Sequence, residues 1–119
     1  MHLFEIIAEQ EVVGFLLDLT PEDRARADFR ASLLAEKGPE LTMPHSRYLR
    51  DGVRELRFEI SGNRNVRITY WFPGDRKIIL LTVFTKSTQH ETIEVNRAIL
   101  AKKLCENDHD PTYHNVFET

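Results

Sequence analysis

The chain has 119 residues, a formal net charge of -3 and a single cysteine, Cys105. A chain of this length forms one domain and buries about two-thirds of the surface that its unfolded form exposes. One cysteine excludes an intrachain disulfide, and no stretch of about 18 apolar residues is available for a transmembrane helix. We therefore expect a soluble cytoplasmic protein with no covalent cross-link and no membrane partner.

The small net charge conceals three segments of different sign. Residues 1–42 carry 4 basic and 9 acidic side chains, residues 43–104 carry 12 and 6, and residues 105–119 carry none and 4. Local potential, more than net charge, attracts a phosphate backbone. The central segment is therefore a candidate for binding a polyanion.

Residues 2–37 predict one strand followed by two helices. The short apolar run at 2–7 is typical of a strand. Two apolar stripes at helical spacing follow, one made by Val12, Phe15, Leu16 and Leu19 and the other by Ala25, Phe29 and Leu33. Between them, Thr20 and Pro21 supply a capping hydroxyl and a proline at the first helical position. We expect a helical hairpin over residues 8–37 that is apolar on its inner side.

Three strands are predicted after a loop at residues 40–51. Alternating apolar residues mark the first two strands, at about 52–60 and 66–72, and a nearly continuous apolar run at 78–86 is typical of a central strand. We expect Leu56, Ile68 and Leu81 to lie beneath the helical hairpin. Alternation leaves the opposite face of the sheet to Arg57, Arg67, Thr69, Trp71, Phe84 and Lys86.

A final helix and a tail complete the predicted fold. Residues 88–91 fit a capping box, and Ile93, Leu100 and Leu104 are spaced for the apolar stripe of an amphipathic helix. We place one domain at residues 1–104 and an acidic C-terminal tail at 105–119. The predicted class is α+β in the order β-α-α-β-β-β-α, with a twisted, mainly antiparallel sheet, the helical hairpin on one face and a C-terminal helix.

Three cations on one face of this sheet form the candidate site. Arg57, Arg67 and Lys86 are the kinds of donors that would stabilise a phosphorane without a metal ion. A solvated sheet face with cross-strand ion pairs would give the same pattern. Trp71 and Phe84 share the face and favour stacking of unpaired bases, although packing under the C-terminal helix is an equal alternative.

His90 is the only histidine predicted near this site. It stands at the head of the final helix, close to Lys86, where it would be either a general acid or base or a solvated residue of the first turn. The tail histidines, His109 and His114, do not have the spacing of a tetrahedral set of metal ligands. Cys105 has no histidine or acid paired with it in the sequence, as a cysteine nucleophile would need. We expect neither a metal ion nor a cofactor.

Three blocks of the sequence match a known pattern. They are PHSRYLRDGVRELR at residues 44–57, RITY at 67–70 and LLTVFTKSTQ at 80–89. Together they resemble the phage-derived HigB-type branch of the RelE/ParE toxin superfamily, whose blocks read P-x-S-K-x-L-x-D-G-L-x-E-L-R, R-x-x-Y and F-x-K-K-T-Q. The resemblance runs from the first strand to about Leu104.

The resemblance implies a RelE/ParE-like fold and the toxin of a type II toxin-antitoxin pair. Such a toxin is a metal-free endoribonuclease, an mRNA interferase that cuts mRNA on the translating ribosome. A helix-turn-helix, HigA-like antitoxin silences it, and a dimer of toxin-antitoxin pairs is one assembly to expect.

The resemblance also implies roles for individual residues. Arg57 and Arg67 would bind the scissile phosphate, and Lys86 would stabilise charge or protonate the leaving oxygen. We add His90 as the fourth catalytic candidate. RNA binding is assigned to Arg54, Trp71, Phe84, Ser87, Thr88 and Gln89.

Two departures from the pattern keep alternatives open. Ser87 stands where the pattern has its second lysine, and the segment after Gln89 lacks the usual T-P and is a residue short. These departures make a catalytically weak or inactive toxin-like binding module a competing hypothesis. A ParE-like gyrase inhibitor on the same fold is another.

Overall fold

A computed structural model describes residues 3–86 and 91–107. Its helices are α1 (Gln10–Leu17), α2 (Pro21–Lys37) and α3 (Glu91–Asn107), with a short 3-10 turn at Gly38–Glu40. Its strands are β1 (Glu5–Ala8), β2 (Ser46–Arg50), β3 (Val53–Ile60), β4 (Arg64–Gly74) and β5 (Lys77–Thr85). No helix in the described part of the chain has the length and apolar character needed to cross a membrane.

The five strands form one mixed sheet in the order β1-β5-β4-β3-β2. Strand β1 pairs in parallel with β5, and the other three pairings are antiparallel. Helices α1 and α2 pack on one face of the sheet and α3 packs on the other. The predicted α+β class, with its mainly antiparallel sheet, is confirmed.

Strand β2 lies where we predicted only a crossing loop, so the sheet has one strand more than expected. It pairs antiparallel with β3, and Ser46 is the register partner of Leu56. Asp51 and Gly52 join the two strands with φ angles of 54° and 82°. An Asp-Gly pair with positive φ is the usual two-residue hairpin turn, so the signal for this strand was present in the sequence.

The helical hairpin covers the larger core, as predicted, but α2 presents a different side to the sheet. Thr20 caps α2 by accepting a hydrogen bond from the backbone N–H of Asp23 at 3.2 Å. The predicted stripe through Phe29 is wrong, because that side chain is 66% exposed. Ala27, Ala31 and Leu34 are the buried apolar residues of α2. Small side chains allow the helix to approach the sheet closely.

A β-bulge corrects one assignment in β5. The three residues of β4 from Ile68 to Tyr70 lie opposite the four residues of β5 from Leu80 to Val83. The extra residue exchanges the faces of the strand beyond it. Leu81 therefore packs under α3, and the helical hairpin covers Leu80 instead.

Helix α3 also turns a different side to the sheet from the one predicted. Ala98, Ile99 and Cys105 are buried in a second core with Val53, Ile79 and Leu81. Ile93, Leu100 and Leu104 are 62%, 58% and 61% exposed, so the expected apolar stripe is wrong. The helix ends at Asn107, three residues beyond the point at which we divided domain from tail. Residues 108–119 lie outside the described part of the chain.

Candidate active site

Arg57 and Arg67 lie directly opposite each other on the face of the sheet that α3 partly covers. They are register partners on β3 and β4. Arg67 is buried, with 7% of its surface exposed, and the Arg57 side chain is 18% exposed. Like charges at such positions repel each other unless a counter-charge lies between them.

The counter-charge is Glu55, which is 1% exposed and lies at the centre of an arginine cluster made by Arg47, Arg57 and Arg67. Its Oε2 atom is 3.5 Å from Nε of Arg47 and 3.7 Å from Nε of both Arg57 and Arg67. These distances are those of ion pairs and exceed the usual range for hydrogen bonds. One buried carboxylate therefore faces three guanidinium groups that come from three neighbouring strands.

Burial dominates the protonation behaviour of this cluster. It raises the pKa of Glu55, and the charges of Arg47, Arg67 and Arg57 oppose that shift. Burial also lowers the pKa of Arg67, with a further contribution from the charge of Arg57. Arginine remains cationic well above neutral pH, so the cluster keeps three positive charges around one carboxyl group.

Each arginine of the cluster has a second contact. Arg47 Nη2 donates to Glu91 Oε1 at 2.6 Å, which ties the start of α3 to strand β2. Arg57 Nη1 donates to Met43 Sδ at 3.0 Å, and Arg67 Nη1 donates to the carbonyl oxygen of Val66 at 3.1 Å. The three side chains are thus held at two points each.

Lys86 and Phe84 flank the cluster on the β5 side. Phe84 is half-buried and is the register partner of Arg67. Lys86 is exposed just beyond β5, and its backbone N–H donates to the carbonyl oxygen of Asn65 at 2.8 Å. Within the described residues, Lys86 has no carboxylate at salt-bridge distance. Strand geometry places it about 7 Å along the sheet from Phe84, on the same side as Arg67.

Trp71 and Arg54 are not brought to the cluster. Trp71 packs beneath α3, where the Lys102 Nζ atom lies 5.0 Å from the ring centroid. Its indole Nε1 is buried and has no hydrogen-bond partner among the described residues. Of our two interpretations of Trp71, the structure shows packing under the helix. It lies four positions along β4 from Arg67, which is about 13 Å of strand.

Arg54 lies on the face of the sheet that carries the helical hairpin. Its Nη1 donates to the carbonyl oxygen of Pro39 at 3.1 Å. Its guanidinium carbon is 5.3 Å from the ring centroid of Phe72 and 5.9 Å from that of Tyr48. Those contacts belong to a cation-π arrangement at the edge of the main core, on the side away from Arg57 and Arg67.

The remaining predicted residues fall outside the described ranges. Ser87, Thr88, Gln89 and His90 lie between β5 and α3, in the gap between residues 86 and 91. Their roles stay predictions. Among residues 3–86 and 91–107, no group of three or more His, Cys, Asp or Glu side chains is placed to hold a metal ion.

Sequence reasoning missed Arg47 and the central position of Glu55. Arg47 fell in the segment that we predicted as a loop, and Glu55 was considered only as a partner in surface ion pairs. The Asp51-Gly52 turn was the signal for the strand itself, but a regular hairpin at that point would pair Arg47 with Leu56. A register shift between Tyr48 and Arg50 places Arg47 opposite Glu55 instead, and the turn gave no signal for it.

The geometry suits an anion with several oxygen atoms. Three guanidinium groups and one carboxylate leave an excess of positive charge on a partly exposed sheet face. Planar guanidinium groups offer paired donors that match phosphate and carboxylate oxygens. The arrangement can therefore bind a phosphate or a carboxylate group.

Comparison with known proteins identifies the family of the chain. A search of curated proteins found no match. The family model described as Phage derived protein Gp49-like (DUF891) matches residues 14–106. The matched segment includes α2, strands β2 to β5 and the arginine cluster. The chain therefore belongs to the phage-derived Gp49-like family, a toxin-like family in the context of RelE/ParE-type toxin-antitoxin systems, for which an antitoxin partner is the general expectation.

Proposed function

We propose that this protein is the HigB-like toxin of a type II toxin-antitoxin pair and that it cleaves mRNA on the translating ribosome. The observation that carries the proposal is the direct cross-strand pairing of Arg57 with Arg67 on a partly exposed face, joined by Arg47. Membership of a toxin-like family supports the biological context.

The proposed reaction is an internal transesterification of RNA that needs no metal ion. The ribose 2′-oxygen attacks the adjacent phosphorus, the O2′–P bond forms and the P–O5′ bond breaks. The products are a 2′,3′-cyclic phosphate and a 5′-hydroxyl. Negative charge grows on the non-bridging oxygens in the phosphorane-like transition state, and guanidinium donors aimed at those oxygens lower its energy.

Two proton transfers accompany this reaction. The 2′-hydroxyl must lose its proton, and the departing 5′-oxygen must gain one. We propose Lys86 as a charge stabiliser or as the donor to the 5′-oxygen, and His90 as the second acid-base group. Phe84 lies beside Arg67 and would contact a base next to the scissile phosphate.

We further propose a helix-turn-helix, HigA-like antitoxin as the silencing partner, with a dimer of toxin-antitoxin pairs as the assembly. Cytoplasmic action follows from the proposed target, which is the ribosome. Co-expression with the product of the adjacent reading frame, followed by affinity capture and light scattering, tests the partner and its stoichiometry.

The principal experiment is cleavage of a reporter mRNA in a translating extract, with cut sites mapped by primer extension. We expect the wild-type chain to cut the message, and Arg57→Ala to reduce the rate by about 10²- to 10³-fold, as for the loss of one transition-state donor. Arg26→Ala is the matched control, since this arginine is exposed on α2, on the other side of the sheet. Its cleavage rate should equal that of the wild type.

The competing functions give different outcomes in the same extract. Uncut message together with inhibition of purified gyrase would favour a ParE-like inhibitor. Uncut message with binding to the antitoxin alone would favour an inactive binding module. Cleavage of ribosome-free mRNA at the same rate would refute the dependence on translation.

A further inference from the structure

We propose that Glu55 is a positioning residue that holds Arg47, Arg57 and Arg67 in one array, so that their remaining donors converge on a single phosphate. The inference rests on the proposed function and adds a role for a buried acid that the reaction itself does not require. Its basis is the arrangement of one carboxylate oxygen at the centre of three guanidinium groups.

The contacts of each arginine divide its donors into two sets. In all three side chains the Nε edge faces Glu55 Oε2, and one Nη atom binds a partner on the protein, namely Glu91, Met43 or the carbonyl of Val66. The other Nη atom has no hydrogen-bond partner among the described residues. One terminal donor group of each arginine is therefore available to an oxygen of the substrate.

The distances explain why a carboxylate suits this task. At 3.5 to 3.7 Å, Glu55 Oε2 attracts the guanidinium groups without taking their donors in short hydrogen bonds. Its charge offsets the repulsion between the cross-strand partners Arg57 and Arg67. Being only 1% exposed, it lies beneath the guanidinium layer and is screened from the substrate. The arginines, and not Glu55, would contact the phosphate.

Glu55→Gln separates positioning from simple electrostatics. The substitution preserves the shape of the side chain and removes its negative charge, so charge alone predicts tighter binding of RNA. Positioning predicts slower cleavage. Guanidinium groups that are no longer fixed can still bind the substrate, but they stabilise the transition state less than fixed groups do. We expect the single-turnover cleavage rate to fall about 10²-fold, while the affinity for a non-cleavable 2′-deoxy oligonucleotide stays within about threefold or increases.

Glu59→Gln is the matched control. Glu59 is exposed on the same strand and the same face, and it forms no salt bridge with any described residue. The change in charge is identical, but Glu59 is no salt-bridge partner of the three arginines. Cleavage should therefore match that of the wild type, and any change in oligonucleotide binding measures the effect of charge alone. An equal loss of cleavage in the two variants would overturn the proposal.

The dependence of the rate on pH distinguishes positioning from general-base catalysis. A positioning role predicts that Glu55→Gln lowers the rate by the same factor at every pH and leaves the shape of the profile unchanged. Loss of a pH-dependent limb in this variant would mean that Glu55 accepts the proton directly, and it would refute the inference.

A readout independent of activity keeps this inference separate from the proposed function. In spectra of protein with 15N-labelled arginine, the Nε–H signals of the cluster should be sharp and slow to exchange in the wild type and in Glu59→Gln. They should broaden or exchange rapidly in Glu55→Gln. Unchanged spectra would overturn the positioning role whatever the activity, whereas the expected spectra with an inactive wild type would refute only the nuclease.

Glu55→Asp provides a second variant if Glu55→Gln does not fold. It keeps the charge and withdraws the carboxylate by one methylene, which weakens all three Nε contacts together. We expect cleavage about tenfold below the wild type, with intermediate exchange of the arginine signals. Wild-type rates together with wild-type spectra in this variant would contradict the inference.

Discussion

Two adjacent residues of α3 provide a direct test of how that helix covers the sheet. Ile99 is 6% exposed and packs against the core around Leu81, whereas Leu100, about 100° further around the helix, is 58% exposed. Truncation of each to alanine removes a similar volume of side chain, in one case from the buried side of the helix and in the other from its exposed side. Because the two substitutions are at neighbouring positions and remove similar side chains, a difference in their effect on stability reports on burial alone.

The expected magnitudes follow from the environment of each side chain. Ile99→Ala deletes buried carbon atoms and leaves a cavity beneath α3, which should lower the free energy of unfolding by about 2 to 5 kcal/mol. Leu100→Ala removes atoms that already face solvent, so the free energy of unfolding should change by no more than about 0.5 kcal/mol. Alanine is also the better helix former, by a few tenths of a kcal/mol in either case.

Urea denaturation followed by tryptophan fluorescence measures this difference directly. Trp71 is the single tryptophan of the chain and lies in the same core beneath α3, so its emission reports on the docking of the helix. The slope of the unfolding free energy against urea concentration should be unchanged in both variants. A cost for Leu100→Ala equal to or above that for Ile99→Ala would mean that the helix buries the stripe through Leu100.

Three other features lead to measurable outcomes. Arg47→Ala should lower the rate of message cleavage about 10- to 100-fold in the translating extract, since it removes a charged donor worth about 1.5 to 3 kcal/mol. Ser46→Ala and Tyr70→Phe should each cost about 1 to 3 kcal/mol of unfolding free energy, because the two buried hydroxyls bond each other, and the double variant should cost less than their sum. Hydrogen bonds from the backbone and side chain of Ser61 hold the pKa of Asp23 below its ordinary value of 3.8. The stabilisation by Asp23 is thus complete above pH about 4 and is lost as the pH falls through the lower pKa of the folded state, so Asp23→Asn should flatten the acid limb of melting temperature against pH.

The elements that the sequence predicted well are those with a strong local signal. The alternation that marks the strands and the Thr20-Pro21 start of α2 are each determined by a few consecutive residues. The buried sides of α2 and α3 could not be predicted in the same way. Both helices place alanines against the sheet, at Ala27, Ala31 and Ala98, and leave larger apolar residues in solvent. A search for the most hydrophobic stripe favours the large residues, whereas close packing on a flat sheet favours the small ones.

Register explains what could be predicted of the site. Arg57 and Arg67 were found because a short turn fixes the pairing of β3 with β4, so that alternation alone puts both on one face. Leu81 was assigned to the wrong face because a bulge in β5 shifts the register by one residue. No pattern of residue types in this segment distinguishes a bulged strand from a regular one.

The position of Arg47 affects how much the serine at position 87 would matter for activity. The HigB-type pattern that the sequence resembles has three lysines in these blocks; this chain keeps the one at Lys86 and has Arg47 and Ser87 at the other two positions. Serine at position 87 means that the chain lacks a second lysine after β5. At position 47, on β2, the guanidinium group of an arginine, which is planar and has paired donors, stands in place of the ammonium group of a lysine. That guanidinium contacts both Glu55 and Glu91, so it is fixed by two strands and the start of α3 together. Under the proposed function, positive charge at the scissile phosphate would come from β2, β3 and β4, and catalysis would depend on the docking of α3 through Arg47 more than on the residue at position 87.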